Sequence, residues 1–210
     1  MHVIPAINEM DFSDIKKKIN IAEEFGAEWV HIDVTDGLFT KNFLWNDPRQ
    51  LRGEISEFKL NIEIHLMVQN PDGTIQEWLE AGAKRIIVHI EAVKNVDQLE
   101  EVCEKYGAEL VLAANPDTSV EHLLQYPYVE SFLILAVIPG VAGQKFQESQ
   151  LDKISALRSK LPDAKIEVDG GVNLENISRI RQAGADRLAA ASAIWGSGDP
   201  KAAYAELSSI

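Results

Sequence analysis

Short runs rich in Val, Ile and Leu recur along this chain, and between them lie longer segments whose apolar positions return every three or four residues. The first kind of spacing fits strands and the second fits helices packed on one face. Strands are predicted near 2–7, 29–34, 60–67, 85–90, 109–114, 131–136, 164–169 and 187–191. Helices are predicted near 12–25, 47–56, 73–82, 95–106, 118–124, 147–160, 173–183 and 200–208. The same join recurs where a helical segment gives way to a strand: Gly26-Ala27, Gly82-Ala83, Gly107-Ala108 and Gly184-Ala185. Glycine closes a helix in the left-handed conformation, so each join reads as a helix stop followed by a strand start. An iterated unit of this kind implies parallel strands joined by right-handed crossovers.

Eight such units in 210 residues point to an α/β fold, a (β/α)8 TIM barrel occupying 1–210 as a single domain. The competing architecture is a doubly wound open sheet. Against it, the first strand-to-helix turn, Ile7-Asn8-Glu9-Met10-Asp11, has no glycine-rich dinucleotide fingerprint.

Composition narrows the partners. Acidic residues outnumber basic ones by 33 to 20, a net charge of -13, so the surface repels nucleic acid and anionic membrane. An anionic substrate would have to be met locally, by backbone N–H groups or a metal. The single cysteine, Cys103, excludes an internal disulfide. No apolar run reaches bilayer length and the N-terminus lacks the order of a signal peptide, so the expected location is cytoplasmic.

Chemistry concentrates at predicted strand ends, where a barrel carries its active site. His31 and Asp33 lie two residues apart and share one strand face. They could simply hydrogen-bond each other; with His65 and Asp169 they could instead converge as two imidazoles and two carboxylates around a divalent metal. His2 and His122 are weak site candidates, and His89 reads either as a partner of a ligand or as a satisfied core residue. Gly140, Gly143, Gly170 and Gly171, followed by Ala191 and Ser192, fall after the last three strands. Barrel loops there often bind phosphate through backbone N–H groups, although glycines in loops also serve as plain turn residues.

These residues also carry a resemblance. His31-Ile-Asp-Val-Thr-Asp-Gly37 with Phe39 and Asn42, His65-Leu-Met-Val68 with Pro71, and Val88-His-Ile-Glu-Ala92 match the ribulose-phosphate 3-epimerase family. So do Asn115-Pro116, Pro139-Gly-Val-Ala-Gly-Gln144 with Phe146, Glu167-Val-Asp-Gly-Gly-Val172 and Ser192-Ala193-Ile194. The resemblance implies a metal-dependent barrel of carbohydrate metabolism, in the pentose phosphate pathway. It would invert carbon 3 of a ketose phosphate, D-ribulose 5-phosphate to D-xylulose 5-phosphate, through an enediolate. It implies His31, Asp33, His65 and Asp169 as ligands of one divalent ion, zinc first, with iron, manganese or cobalt as alternatives. Asp33 and Asp169 would be the acid/base pair, and Gly140, Val141, Ala142, Gly143, Gln144, Gly170, Gly171, Ala191 and Ser192 would surround the phosphate. Family members are often homo-oligomers.

Departures from the family pattern fall in the expected substrate pocket. Glu9 stands where a serine is usual, Thr35 and Ala136 replace cushioning methionines while Met67 remains, and Ala191 replaces a glycine. They leave two other readings open: an epimerase of another ketose phosphate such as a hexulose 6-phosphate, or a barrel that binds a sugar phosphate without turnover.

Overall fold

In the computed structural model, which describes residues 1–140 and 143–210, eight parallel strands close into a barrel in sequence order. They are β1 (His2–Ile7), β2 (Trp29–Thr35), β3 (Asn61–Met67), β4 (Arg85–His89), β5 (Glu109–Ala114), β6 (Ser131–Leu135), β7 (Lys165–Asp169) and β8 (Arg187–Ala190). Register from His2↔Arg187 to Pro5↔Ala190 joins the first strand to the last. The helices are α1 (Phe12–Glu24), α2 (Pro48–Glu54), α3 (Ile75–Glu80), α4 (Val96–Tyr106), α5 (Gln150–Lys160), α6 (Ile177–Ala183), α7 (Ser192–Trp195) and α8 (Pro200–Ser208). The architecture is the (β/α)8 barrel. Among the described residues, no helix is long and apolar enough to cross a membrane.

The glycine joins do what their chemistry predicts. Gly26, Gly82, Gly107 and Gly184 adopt φ of 84°, 101°, 64° and 115°, a region where a side chain is strained. Two helical segments differ from expectation. The fifth crossover holds only a 3-10 turn, Val120–Gln125, set between Pro116 and Pro127. A four-residue helix, α7, follows β8 and is tied to β1 by the Trp195 indole, which donates to the Ala6 carbonyl at 2.7 Å.

Strand alternation divides the core. Val30, Ile32 and Val34 of β2, with Ile62, Ile64 and Leu66 of β3, belong to the large apolar layer between barrel and helices. Residues of the opposite parity fill the barrel itself. One side of that interior is apolar: Ile87, Val111, Ala113, Leu133, Leu135 and Val137. The other is ionic, with His31, Glu63, His65, Arg85, His89 and Glu167 all buried. Arg85 bonds Glu63, reaches Glu109 at 2.7 Å and stacks over the Trp29 ring at 4.0 Å, while Arg187 meets Glu109 at 2.7 Å. Charges taken from water are tolerated only when paired in this way.

Candidate active site

Four side chains from three strands meet at the carboxyl end of the barrel. Parallel register sets Asp33 of β2 opposite His65 of β3, and Asp169 ends β7. His31 Nε2 lies 3.2 Å from Asp33 Oδ1 and 3.2 Å from His65 Nδ1. His65 Nδ1 lies 3.0 Å from Asp33 Oδ1 and 3.6 Å from Asp169 Oδ2. All four residues are buried or nearly so, and their donor atoms fall within 4.8 Å of one another. Ligands about 2.0–2.1 Å from one cation are separated from their neighbours by roughly 3.0–3.4 Å. The cluster therefore has the spacing and the donor chemistry of a divalent-metal site.

The imidazoles are backed from behind. His31 Nδ1 lies 2.8 Å from Glu63 Oε1, and Glu63 in turn is bonded by Arg85. An ionised carboxylate only accepts, so a neutral His31 keeps its hydrogen on Nδ1 and offers the Nε2 lone pair to the cluster. His65 presents the other nitrogen: Nδ1 faces the cluster, and Nε2 lies 2.8 Å from His89 Nε2.

Charge is unevenly distributed among the acids. Burial opposes ionisation of Asp33, but the His31 and His65 imidazoles prevail and hold it well below the usual carboxylate range. Burial and the neighbouring Asp33 charge push Asp169 up to about 6. Burial disfavours charge on His31, yet Asp33, Glu167 and Glu63 together raise it well above its ordinary value. Burial and Glu63 push Glu167 up to about 7, and neither of its oxygens has a hydrogen-bond partner among the described residues. His31 Nδ1 at 3.5 Å and Arg85 at 4.0 Å are its cationic neighbours.

A cleft opens above the cluster. Asp33 and Asp169 form part of its wall, with Met67, Leu44, Leu135 and Val137 as apolar cover. Asn8, Gly140, Gly143, Gln144, Gly170, Gly171, Ala191 and Ser192 line the rest. Gly170 and Gly171 have φ of 105° and 69°; a Cβ on Gly170 would strike Val137 and one on Gly171 the backbone of Phe146. The sequence profile of the ribulose-phosphate 3-epimerase family matches residues 2–195. The chain belongs to the ribulose-phosphate 3-epimerase family.

It is 35% identical over 214 residues to a ribulose-phosphate 3-epimerase of Bacillus subtilis, covering 98% of this chain and 97% of that one. With the ribulose-phosphate 3-epimerase of Eremothecium gossypii it shares 33% identity over 210 residues, covering 95% and 88%. A solved 3-hexulose-6-phosphate synthase superposes with a TM-score of 0.73 at 15% identity, covering 100% of this chain and 99% of that chain, a likeness of fold. The family's class, isomerases acting on carbohydrates, is the class of this enzyme.

Within this epimerase-family barrel, not every residue singled out from the sequence reaches the cleft. The Glu9 carboxylate turns to Lys18 Nζ at 2.5 Å, and its neighbour Asn8 lines the wall instead. Thr35 is buried; its hydroxyl donates to the Asn42 carbonyl at 2.7 Å and accepts from the Leu44 N–H at 2.6 Å, fastening the loop after β2. Ala136 follows β6 with outward parity and packs in the layer under the helices. Gln144 donates to the Ile138 carbonyl at 2.7 Å, bracing the loop after β6. Val141 and Ala142 lie outside the described residues. Glu167 opens the Glu167–Val172 motif, whereas Asn8, Leu44 and the buried Glu63 stand outside the matching stretches; strand parity with His65 was the signal for Glu63.

Proposed function

We propose that this enzyme inverts carbon 3 of D-ribulose 5-phosphate to give D-xylulose 5-phosphate. In this reading Asp33 and Asp169 are the acid/base pair, and one divalent cation, zinc first, is held by His31, Asp33, His65 and Asp169. The observation that carries the reading is the convergence of four donors at the floor of a cleft whose wall includes two of them. When bound, the cation would stabilise the negative charge that develops on the substrate's carbonyl oxygen.

The residues of the chain supply the rest. Epimerisation removes a proton from one face of carbon 3 and delivers another to the opposite face, which needs an acid/base group on each side. Asp33 rises from β2 and Asp169 from β7, three places apart around a ring of eight strands, which favours approach from different sides. Asp33, held ionised by its imidazole neighbours, is suited to accept the proton from carbon 3. Asp169, pushed up to about 6, is suited to hold one and deliver it to the planar intermediate, and the roles exchange in the reverse direction. Met67, Leu135 and Val137 keep water from that intermediate. The backbone at Gly170, Gly171, Ala191 and Ser192, together with Gly140, Gly143 and Gln144, would meet the phosphate without requiring a positive surface.

The test is exchange of the carbon 3 hydrogen of D-ribulose 5-phosphate with deuterium from solvent, using metal-loaded enzyme. Exchange with release of D-xylulose 5-phosphate is expected. Exchange confined to a hexulose 6-phosphate would move the substrate, and binding of either sugar without exchange would overturn the catalytic reading.

A further inference from the structure

We infer that His89 and Glu91 form a positioning relay for the metal ligand His65, doing at one remove what Glu63 does for His31. The inference rests on the reading of the four-donor cluster as a divalent-cation site. His65 Nδ1 faces the cluster, so a neutral His65 bound through that atom keeps its hydrogen on Nε2. That Nε2 lies 2.8 Å from Nε2 of His89. Two imidazole nitrogens at such a distance hold one hydrogen between them, so His65 donates and His89 accepts.

The assignment then propagates. With Nε2 used as an acceptor, neutral His89 carries its hydrogen on Nδ1, and Glu91 Oε2 is the acceptor nearby, at 3.3 Å. The alignment is poor for a hydrogen bond, and His89 Nδ1 is a buried polar atom with no other partner among the described residues. Glu91 is itself anchored by the Asn115 N–H, which donates to Oε1 at 2.8 Å. Phe39 packs on the His89 ring with centroids 4.9 Å apart, and the His65 and His89 rings are inclined by only 17°. His89 thus fixes the tautomer of His65, and its own Nδ1 hydrogen faces the anchored carboxylate of Glu91.

Such a chain does two things for a ligand. It holds His65 in the one tautomer that offers Nδ1 to the cation, and the partial negative charge passed inward from Glu91 makes that nitrogen a better donor. His89 is accordingly a positioning residue, excluded from the ligand set by the use of its Nε2 toward His65.

Cobalt(II) binding tests the relay without recourse to turnover. Apo-enzyme is titrated with Co2+ against a competing chelator, and the visible absorption of the bound ion is recorded. His89→Leu removes the acceptor and should weaken Co2+ binding by about 10- to 100-fold, with a changed spectrum. His89→Gln can accept from His65 through Oε1 and donate to Glu91 through its amide, and should recover most of both. Glu91→Gln leaves the ring in place and should give an intermediate loss, which keeps the test open if His89→Leu fails to fold. Unchanged affinity and spectrum in His89→Leu, or in Glu91→Gln where that variant must stand in for it, overturn the relay alone. So does a His89→Gln as weak as His89→Leu. A parent chain that binds no Co2+ overturns the metal reading and the relay with it.

Discussion

Loading the metal-free enzyme with a divalent cation should expel protons, and His31 and Asp169 are the groups from which they come. His31 sits among Asp33, Glu63 and Glu167, which raise it well above its ordinary value, so near pH 7 it holds a proton in the metal-free chain. A ligand nitrogen must give that proton up. Asp169, pushed up to about 6 by burial and Asp33, is protonated in roughly a tenth of molecules at pH 7 and in most at pH 5. Asp33 contributes nothing, because it is ionised throughout this range. Binding should therefore release about one proton at pH 7 and close to two at pH 5. The sign follows: protons compete with the cation, so affinity rises with pH. It should rise about tenfold per pH unit near pH 7 and more steeply below 6, each tenfold step being about 1.4 kcal/mol. The assay is calorimetric titration of metal-free enzyme with Zn2+ in buffers of different ionisation enthalpy, where the dependence of observed heat on buffer heat counts protons. A count near zero at pH 7 would mean that His31 is already neutral, and the account of the site's electrostatics would be refuted.

Asp169→Asn removes one member of the acid/base pair and should lower turnover between about a hundredfold and ten-thousandfold, measured as formation of D-xylulose 5-phosphate from D-ribulose 5-phosphate, while the folded structure persists by circular dichroism. Arg85→Met leaves Glu63 and Glu109 without their shared cation and should cost about 3–5 kcal/mol, a fall of roughly 10 °C in thermal midpoint. Gly171→Ala forces a side chain into the left-handed region against the Phe146 backbone. It should cost about 1–2 kcal/mol in denaturant unfolding and raise KM for the sugar phosphate.

The barrel was legible because its evidence is local and repeated. Gly-Ala joins and Val/Ile runs report helix stops and strands without reference to anything distant in the chain. The four-donor cluster was legible because His31, Asp33, His65 and Asp169 share one strand face toward the carboxyl rim, where the fold brings them together. The barrel interior was harder to read. Arg85, Glu109 and Arg187 each open a strand and precede an unbroken apolar run, as a solvated strand start would, and only closure of the sheet turns them inward. Short elements escaped for a different reason: α7 is one turn long, too short to establish a period, and the 3-10 segment between two prolines carries apolar spacing that an α-helix would also show. Glu9 and Ala136 were placed in the pocket by resemblance. Their surroundings depend on a Lys18 partner and on strand parity.

Counting charge inside the barrel connects these features to the reaction. Among the described residues, Asp33, Asp169, Glu63, Glu109 and Glu167 face only Arg85 and Arg187 as permanent cations. Glu167, raised to about 7, takes up part of the deficit by holding a proton. What remains is about two charges, the number that His31 and Asp169 supply when protonated and that one divalent cation supplies when bound. Near pH 5, where both groups are protonated, replacing two protons by one M2+ leaves the interior charge nearly unchanged; at pH 7, where about one proton leaves, the bound cation adds about one positive charge to an interior that is still acidic. The cation concentrates positive charge at the floor of the cleft, where an anionic sugar phosphate would otherwise meet the field of a chain carrying -13. A protein with so acidic a surface can thus still attract a phosphorylated substrate, provided the metal is in place. In this reading the four-donor cluster serves recognition as well as the carbon 3 chemistry.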